Sequence, residues 1–150
     1  MNKKPRKKLP RVILVAEDDD DDFYLLRCAF ENAQLPHSTY QVRDGHHAMD
    51  YLRGTGAFRN RRLFPKADLL ILDLKMPGMD GYDVLAALRR SRTLAKLPVV
   101  VLSGSFLSHD EERVLSLGAR AFYVKSAHLA QSSKTIIEIC RKWLGNGAVA

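Results

Sequence analysis

The chain alternates short, uninterrupted apolar runs with longer stretches in which apolar residues recur every three or four positions. The short runs are Val12–Ala16, Leu69–Leu72 and Pro98–Leu102, with Ala121–Val124 and a weaker Tyr40–Val42 beside them. Runs of this length, rich in branched side chains and without polar alternation, suit strands buried on both faces of a parallel sheet. Between them, Phe23, Leu26, Phe30 and Ala33 fall at helical spacing before Leu35-Pro36. The stretch from Asp44-Gly45 to about Arg53 has Ala48, Tyr51 and Leu52 inward, and Gly81–Arg92 has Val84, Leu85 and Leu88. His109–Leu117 is closed by Gly118. A final stripe of Leu129, Ile136, Ile137, Ile139, Cys140 and Trp143 stops before Gly145.

Five strands alternating with five helices predict a doubly wound parallel sheet with helices on both faces, since parallel crossovers are right-handed. Gly54–Lys66, with Arg59, Arg61 and Arg62, has no clear period and reads as a long surface loop. There is no GxGxxG after the first strand and no GxxxxGK[ST], which disfavours dinucleotide and P-loop nucleotide binding.

Charge changes this picture little. Of 24 lysines and arginines, five lie in residues 1–8, leaving 19 against 17 acidic residues, so the net charge of +7 is mostly a basic tail. The expected division is a disordered tail at 1–10, one domain at 11–144 and a short C-terminal tail at 145–150. Neither a signal peptide nor a membrane anchor is expected, and a cytoplasmic location is. Without a recognition-helix motif or an aromatic stacking array, a nucleic-acid partner is disfavoured. Cys28 and Cys140 lack metal-site spacing and are expected to be small buried thiols.

The strand ends carry the chemistry, because open α/β sheets form their crevice there. That rule gathers Glu17 and Asp18 after the first strand, Asp73 after the third, Ser103 after the fourth and Lys125 after the fifth. Three converging carboxylates repel one another unless a cation intervenes, and hard oxygen donors suit Mg²⁺. Metal, ammonium and hydroxyl around one carboxylate describe a phosphoryl acceptor, since phosphoryl transfer needs positioning and charge neutralisation. Asp19–Asp22 read as favourable charges in a first helical turn, and Asp80 and Asp83 as shaping a turn and helix start. His46 and His47, being adjacent, make a poor metal pair.

With Glu17-Asp18, DLKMPGMDG around Asp73, Ser103-Gly104, Phe122 and Lys125 in order, the chain from about Arg11 to Leu144 resembles the receiver domains of bacterial response regulators. The resemblance implies a flavodoxin-like three-layer fold with sheet order 2-1-3-4-5. It implies phosphorylation of Asp73 by the phosphohistidine of a sensor kinase. Mg²⁺ would be held by Asp18, Asp73 and the backbone carbonyl of Lys75, with Glu17 contributing directly or through water. Lys125, Ser103 and Gly104 would bind the phosphoryl group, and Ser103 and Phe122 would act as the switch. YLRGTGAF and the Trp-bearing last helix look like the single-domain regulators that partner phytochrome-type kinases. Output would leave through protein contact on helix four, strand five and helix five, to an effector, a histidine phosphotransfer protein or a second copy of the chain.

Two departures stand out. Ser126 follows the lysine where the family usually has proline, which puts the loop geometry that aims Lys125 in question, and Lys75 stands beside the path of hydrolytic water. A haloacid-dehalogenase-type hydrolase would need an acid at position 75 and is excluded. No turnover of a separate substrate is expected beyond self-phosphorylation and slow self-dephosphorylation. A phosphorylation-independent interaction module of the same fold is the alternative.

Overall fold

In a computed structural model, which describes residues 10–104 and 108–145, five parallel strands form one sheet of order β2-β1-β3-β4-β5. The strands are β1 (Val12–Ala16), β2 (Ser38–Val42), β3 (Leu69–Leu72), β4 (Val99–Ser103) and β5 (Ala121–Val124). The helices are α1 (Asp20–Asn32), α2 (Gly45–Arg53), α3 (Gly81–Arg90), α4 (Ser108–Ser116) and α5 (Leu129–Trp143). The expected flavodoxin-like order is therefore the observed one. The tails expected at either end fall on residues 1–9 and 146–150, which lie outside the described residues.

Alternation along each strand divides the core between the two faces. Leu14, Leu70, Leu72 and Val101 pack with Ala48, Leu52, Val84, Leu85 and Leu88 on the face of α2, α3 and α4. Ile13, Val15, Ile71 and Val100 pack with Leu26, Phe30, Ile136 and Ile139 under α1 and α5. Leu69–Leu72 is buried throughout, as its unbroken apolar run requires.

Several local expectations change. β2 begins at Ser38, two residues early, because Ser38 and Thr39 pair with Val12 and Ile13 of β1; neighbouring backbone supplies what their local sequence lacks. α1 ends at Asn32, leaving Ala33 as its C-cap. Leu129 is exposed rather than inward, since it opens α5 beyond the edge of the core. Cys140 is buried, but Cys28 is only half-buried.

The 54–66 loop is a built structure. It opens with a short 3₁₀ turn at Gly56–Phe58. Phe58 and Phe64 pack edge-to-face at 5.1 Å, and both rings meet Tyr51. Arg61 donates to the carbonyls of Tyr51, Leu52 and Phe64 at 2.8, 3.0 and 3.2 Å, and the Tyr51 hydroxyl donates to the Pro65 carbonyl. One of the three loop arginines is thus an internal brace.

Candidate functional site

Register brings the acids together. Ala16 pairs with Leu72, so the next residues, Glu17 and Asp73, leave the sheet side by side, and the Asp73 N–H donates to the Ala16 carbonyl at 3.0 Å. The sheet order reverses between β1 and β3, which opens a crevice there. On the other side of Asp73, the Lys125 N–H donates to the Ser103 carbonyl at 2.8 Å, aligning the ends of β4 and β5.

Two glycines let the loop after Asp73 fold tightly. A Cβ on Gly81 would lie 2.5 Å from the Asp73 carbonyl oxygen and 2.8 Å from the Leu74 Cα. A Cβ on Gly45 would lie 2.4 Å from the Met79 carbonyl oxygen, which accepts the Gly45 N–H. Asp80 and Asp83 close α3 with a reciprocal capping box, as their spacing suggests.

The six consecutive acids divide their tasks. Glu17 is buried, accepts the Asp19 N–H at 3.0 Å through Oε1, and meets Lys125 Nζ at 2.6 Å through Oε2. Asp18 is exposed beside the crevice. Asp19 is the N-cap of α1, accepting the Asp22 N–H. Asp20 pairs with Arg43, which holds its carboxyl below the usual range. Asp22 lies 2.8 Å from Lys125 Nζ. The first-turn acids therefore include a site residue that charge patterning alone did not reveal. No signal within the run marks it, because its partner Lys125 lies 103 residues away.

Ligand oxygens of Glu17, Asp18 and Asp73 can lie within 4.8 Å of one another, close enough for one ion to reach all three. Burial pushes the Glu17 carboxyl up to about 7, and the charge of Asp73 adds to this against the bonds from Lys125 and Asp19. Burial acts against the Lys125 ammonium. Its bonds to Asp22 and Glu17 and the field of Asp73 outweigh that and hold its pKa above the ordinary value.

Lys125 Nζ is 3.2 Å from Asp73 Oδ2. Ser126 does not misdirect it: the Ser126 hydroxyl accepts the His128 N–H at 3.1 Å, and its carbonyl accepts the Ser132 hydroxyl at 3.0 Å, so the residue shapes the turn into α5. Ser103 is buried at the end of β4. A Cβ on Gly104 would meet nothing within 4 Å among the described residues. Phe122 packs, half-buried, against the α2–α3–α4 side of the core. Lys75 exposes its side chain and lines a cleft of about 520 Å³ with Asp18, Asp80, Tyr82 and Asp110. In that cleft the Tyr82 hydroxyl donates to Asp110, and the Arg113 guanidinium sits 3.8 Å from the Tyr82 ring centre. His47 Nδ1 pairs with Asp44 at the start of α2, away from this cluster.

A doubly wound sheet with acids at the switch point and lysine after the last strand defines a receiver, and residues 13–137 match the response regulator receiver domain. The chain belongs to the response regulator receiver domain family. Members of this family are not in general enzymes that turn over a separate substrate.

Among relatives, it is 34% identical over 139 residues to the probable methanogenesis regulatory protein FilR2 of Methanothrix harundinacea, covering 91% of this chain and 85% of the relative. It is 33% identical over 138 residues to response regulator Rcp1 of Synechocystis sp., covering 90% of each chain. A Mn²⁺-bound structure of Rcp1 superposes with a TM-score of 0.78 at 32% identity, covering 90% of this chain and 95% of that one. The phosphorylated cyanobacterial phytochrome response regulator RcpA superposes with a TM-score of 0.79 at 37% identity, covering 89% and 94%.

Proposed function

We propose that this protein is a stand-alone response regulator of a two-component phosphorelay, with Asp73 as the phosphoacceptor. The observation that carries the reading is the meeting of the Lys125 ammonium with the Asp73 carboxylate, 3.2 Å apart, beside a carboxylate set within reach of one ion. Glu17, Asp18 and Asp73 offer the hard oxygen donors that suit Mg²⁺, with the Lys75 carbonyl in the adjoining loop as a fourth. Bound Mg²⁺ would neutralise oxygens of the incoming phosphoryl group.

The donor is the phosphohistidine of a sensor kinase, of phytochrome type on the strength of the phytochrome response regulator RcpA. An Asp73 carboxylate oxygen attacks phosphorus, forming the O–P bond as the P–N bond breaks; the imidazole leaves with that electron pair and takes up a proton. Lys125 turns one N–H hydrogen bond from Asp73 to a phosphoryl oxygen, while Ser103 donates its hydroxyl and Gly104 lies beside the group. Ser103 and Phe122 form the switch. The signal leaves through α4, β5 and α5, where Leu115, Val124 and Leu129 are exposed, to an effector, a histidine phosphotransfer protein or a second copy of the chain. No helix among the described residues is long and apolar enough to cross a membrane.

Intact mass after incubation with Mg²⁺ and acetyl phosphate tests the reading. One added phosphoryl group that requires Mg²⁺ and is absent from Asp73→Asn supports it. A folded wild type labelled neither by acetyl phosphate nor by a cognate kinase would leave the phosphorylation-independent module. If the α4–β5–α5 face makes a dimer, sedimentation will show tighter self-association with a phosphoryl mimic than without one.

A further inference from the structure

Lys125 has three N–H donors, and Glu17, Asp22 and Asp73 meet it at 2.6, 2.8 and 3.2 Å. Two of these acceptors have other work in the proposed cycle. Glu17 and Asp73 belong to the carboxylate cluster, so a bound cation draws on the same carboxylates, and Asp73 becomes an acyl phosphate when phosphorylated. Asp22 stands outside that cluster, on the first turn of α1. It is the acceptor whose bond to Lys125 neither event consumes.

The β5–α5 loop does not do this job. Ser126 spends its hydroxyl and carbonyl on His128 and Ser132, which fixes backbone and leaves the long lysine stem to be held by its tip. A lysine side chain is among the costliest to order, so an unheld ammonium would sample many positions. The Asp22 carboxylate is partly exposed, but its partner is largely buried, which favours a defined geometry over that of an ordinary surface pair.

We infer that Asp22 is a positioning residue for phosphoryl transfer, tethering Lys125 from α1 so that the ammonium stays over residue 73 while Glu17 and Asp73 change partners. This rests on Asp73 being the phosphoacceptor. The tether acts through Lys125 and touches neither metal nor phosphoryl group.

The test is a double-mutant cycle with a spectroscopic arm. Asp22→Ala should slow Mg²⁺-dependent uptake from acetyl phosphate about tenfold, the worth of one charge-assisted hydrogen bond, with Asp22→Asn intermediate. In a Lys125→Ala background, Asp22→Ala should have less than about a twofold effect, and Mg²⁺ affinity by titration calorimetry should stay within about threefold. Equal slowing in both backgrounds, no slowing in the wild type, or a loss of Mg²⁺ affinity in place of rate would each overturn the tether. With ζ-¹⁵N lysine, wild type should show a protected ammonium resonance, assigned to Lys125 by its absence from Lys125→Ala and lost in Asp22→Ala. If uptake by the wild type or the Lys125→Ala background is too slow to measure, this resonance decides: persistence in Asp22→Ala overturns the tether. A wild type that takes up no phosphoryl group fails the phosphoacceptor reading, and the resonance still reports on Asp22 separately.

Discussion

Lys125 Nζ lies closer to Glu17 Oε2, at 2.6 Å, than to Asp73 Oδ2, at 3.2 Å. The lysine therefore neutralises the buried neighbour of the proposed acceptor as well as the acceptor itself. Removing it leaves two buried carboxylates facing each other, as well as costing phosphoryl binding. Lys125→Met should lower stability by about 2–3 kcal/mol without metal, below the range for fully dry pairs because the site opens to water. Mg²⁺ should recover part of that loss. Urea unfolding with and without Mg²⁺ checks both; equal midpoints for wild type and variant in metal-free buffer would remove the argument.

Gly81 is required by close approach rather than by its own backbone angles. In Gly81→Ala the new methyl meets the backbone of Asp73 and Leu74, which cannot rotate away as a side chain would. The expected cost is about 2–3 kcal/mol, with slower phosphoryl uptake because Asp73 shifts. Thermal unfolding and uptake from acetyl phosphate should change together.

His37 supplies a pH dependence at the opposite end of the sheet from the carboxylate cluster, with Asp68 nearby. Its Nδ1 accepts the Arg11 N–H at 3.1 Å, joining the segments that precede β1 and β2. Burial, with the nearby Arg11 charge, holds the imidazole below its usual pKa. The unfolded chain then binds the proton more readily, so this contribution is present above about pH 6.5 and is lost as pH falls toward the lower folded value. His37→Asn should flatten the decline in urea midpoint between pH 7.5 and 5.5. An unchanged decline would show that other groups govern it.

Arg61 should behave as a core residue despite its place in a loop. Arg61→Ala leaves the carbonyls of Tyr51, Leu52 and Phe64 without its guanidinium and should cost about 2–3 kcal/mol. Tyr51→Phe, which loses one hydroxyl bond to Pro65, should cost about 1 kcal/mol. Limited proteolysis should cut the loop faster in Arg61→Ala than in Arg59→Ala.

Apolar runs marked where β1, β3, β4 and β5 lie, and the residue after each run was then a strand end, which is how Glu17, Asp73 and Lys125 were legible before any coordinate. Capping chemistry made Asp80 and Asp83 readable for the same reason: the partners are three residues apart. The start of β2 at Ser38 and the exposure of Leu129 are not legible in the sequence, because pairing and edge position depend on neighbours that a local pattern does not contain.

What the sequence determined by itself was which residues sit where the strands stop, since a strand covered on both faces is marked by an unbroken run of contiguous apolar residues. What the tertiary structure alone decided was how the charges are shared. Asp22 and Lys125 are 103 residues apart, and Tyr82 and Asp110 are 28 apart. Nothing in a run of six acids distinguishes the one that caps a helix, the one that pairs with Arg43 and the one that reaches the lysine. Those roles follow from the direction in which α1 leaves β1 and from the crossovers that carry β5 to the other side of β3 and β4, a geometry set by packing both faces of the sheet.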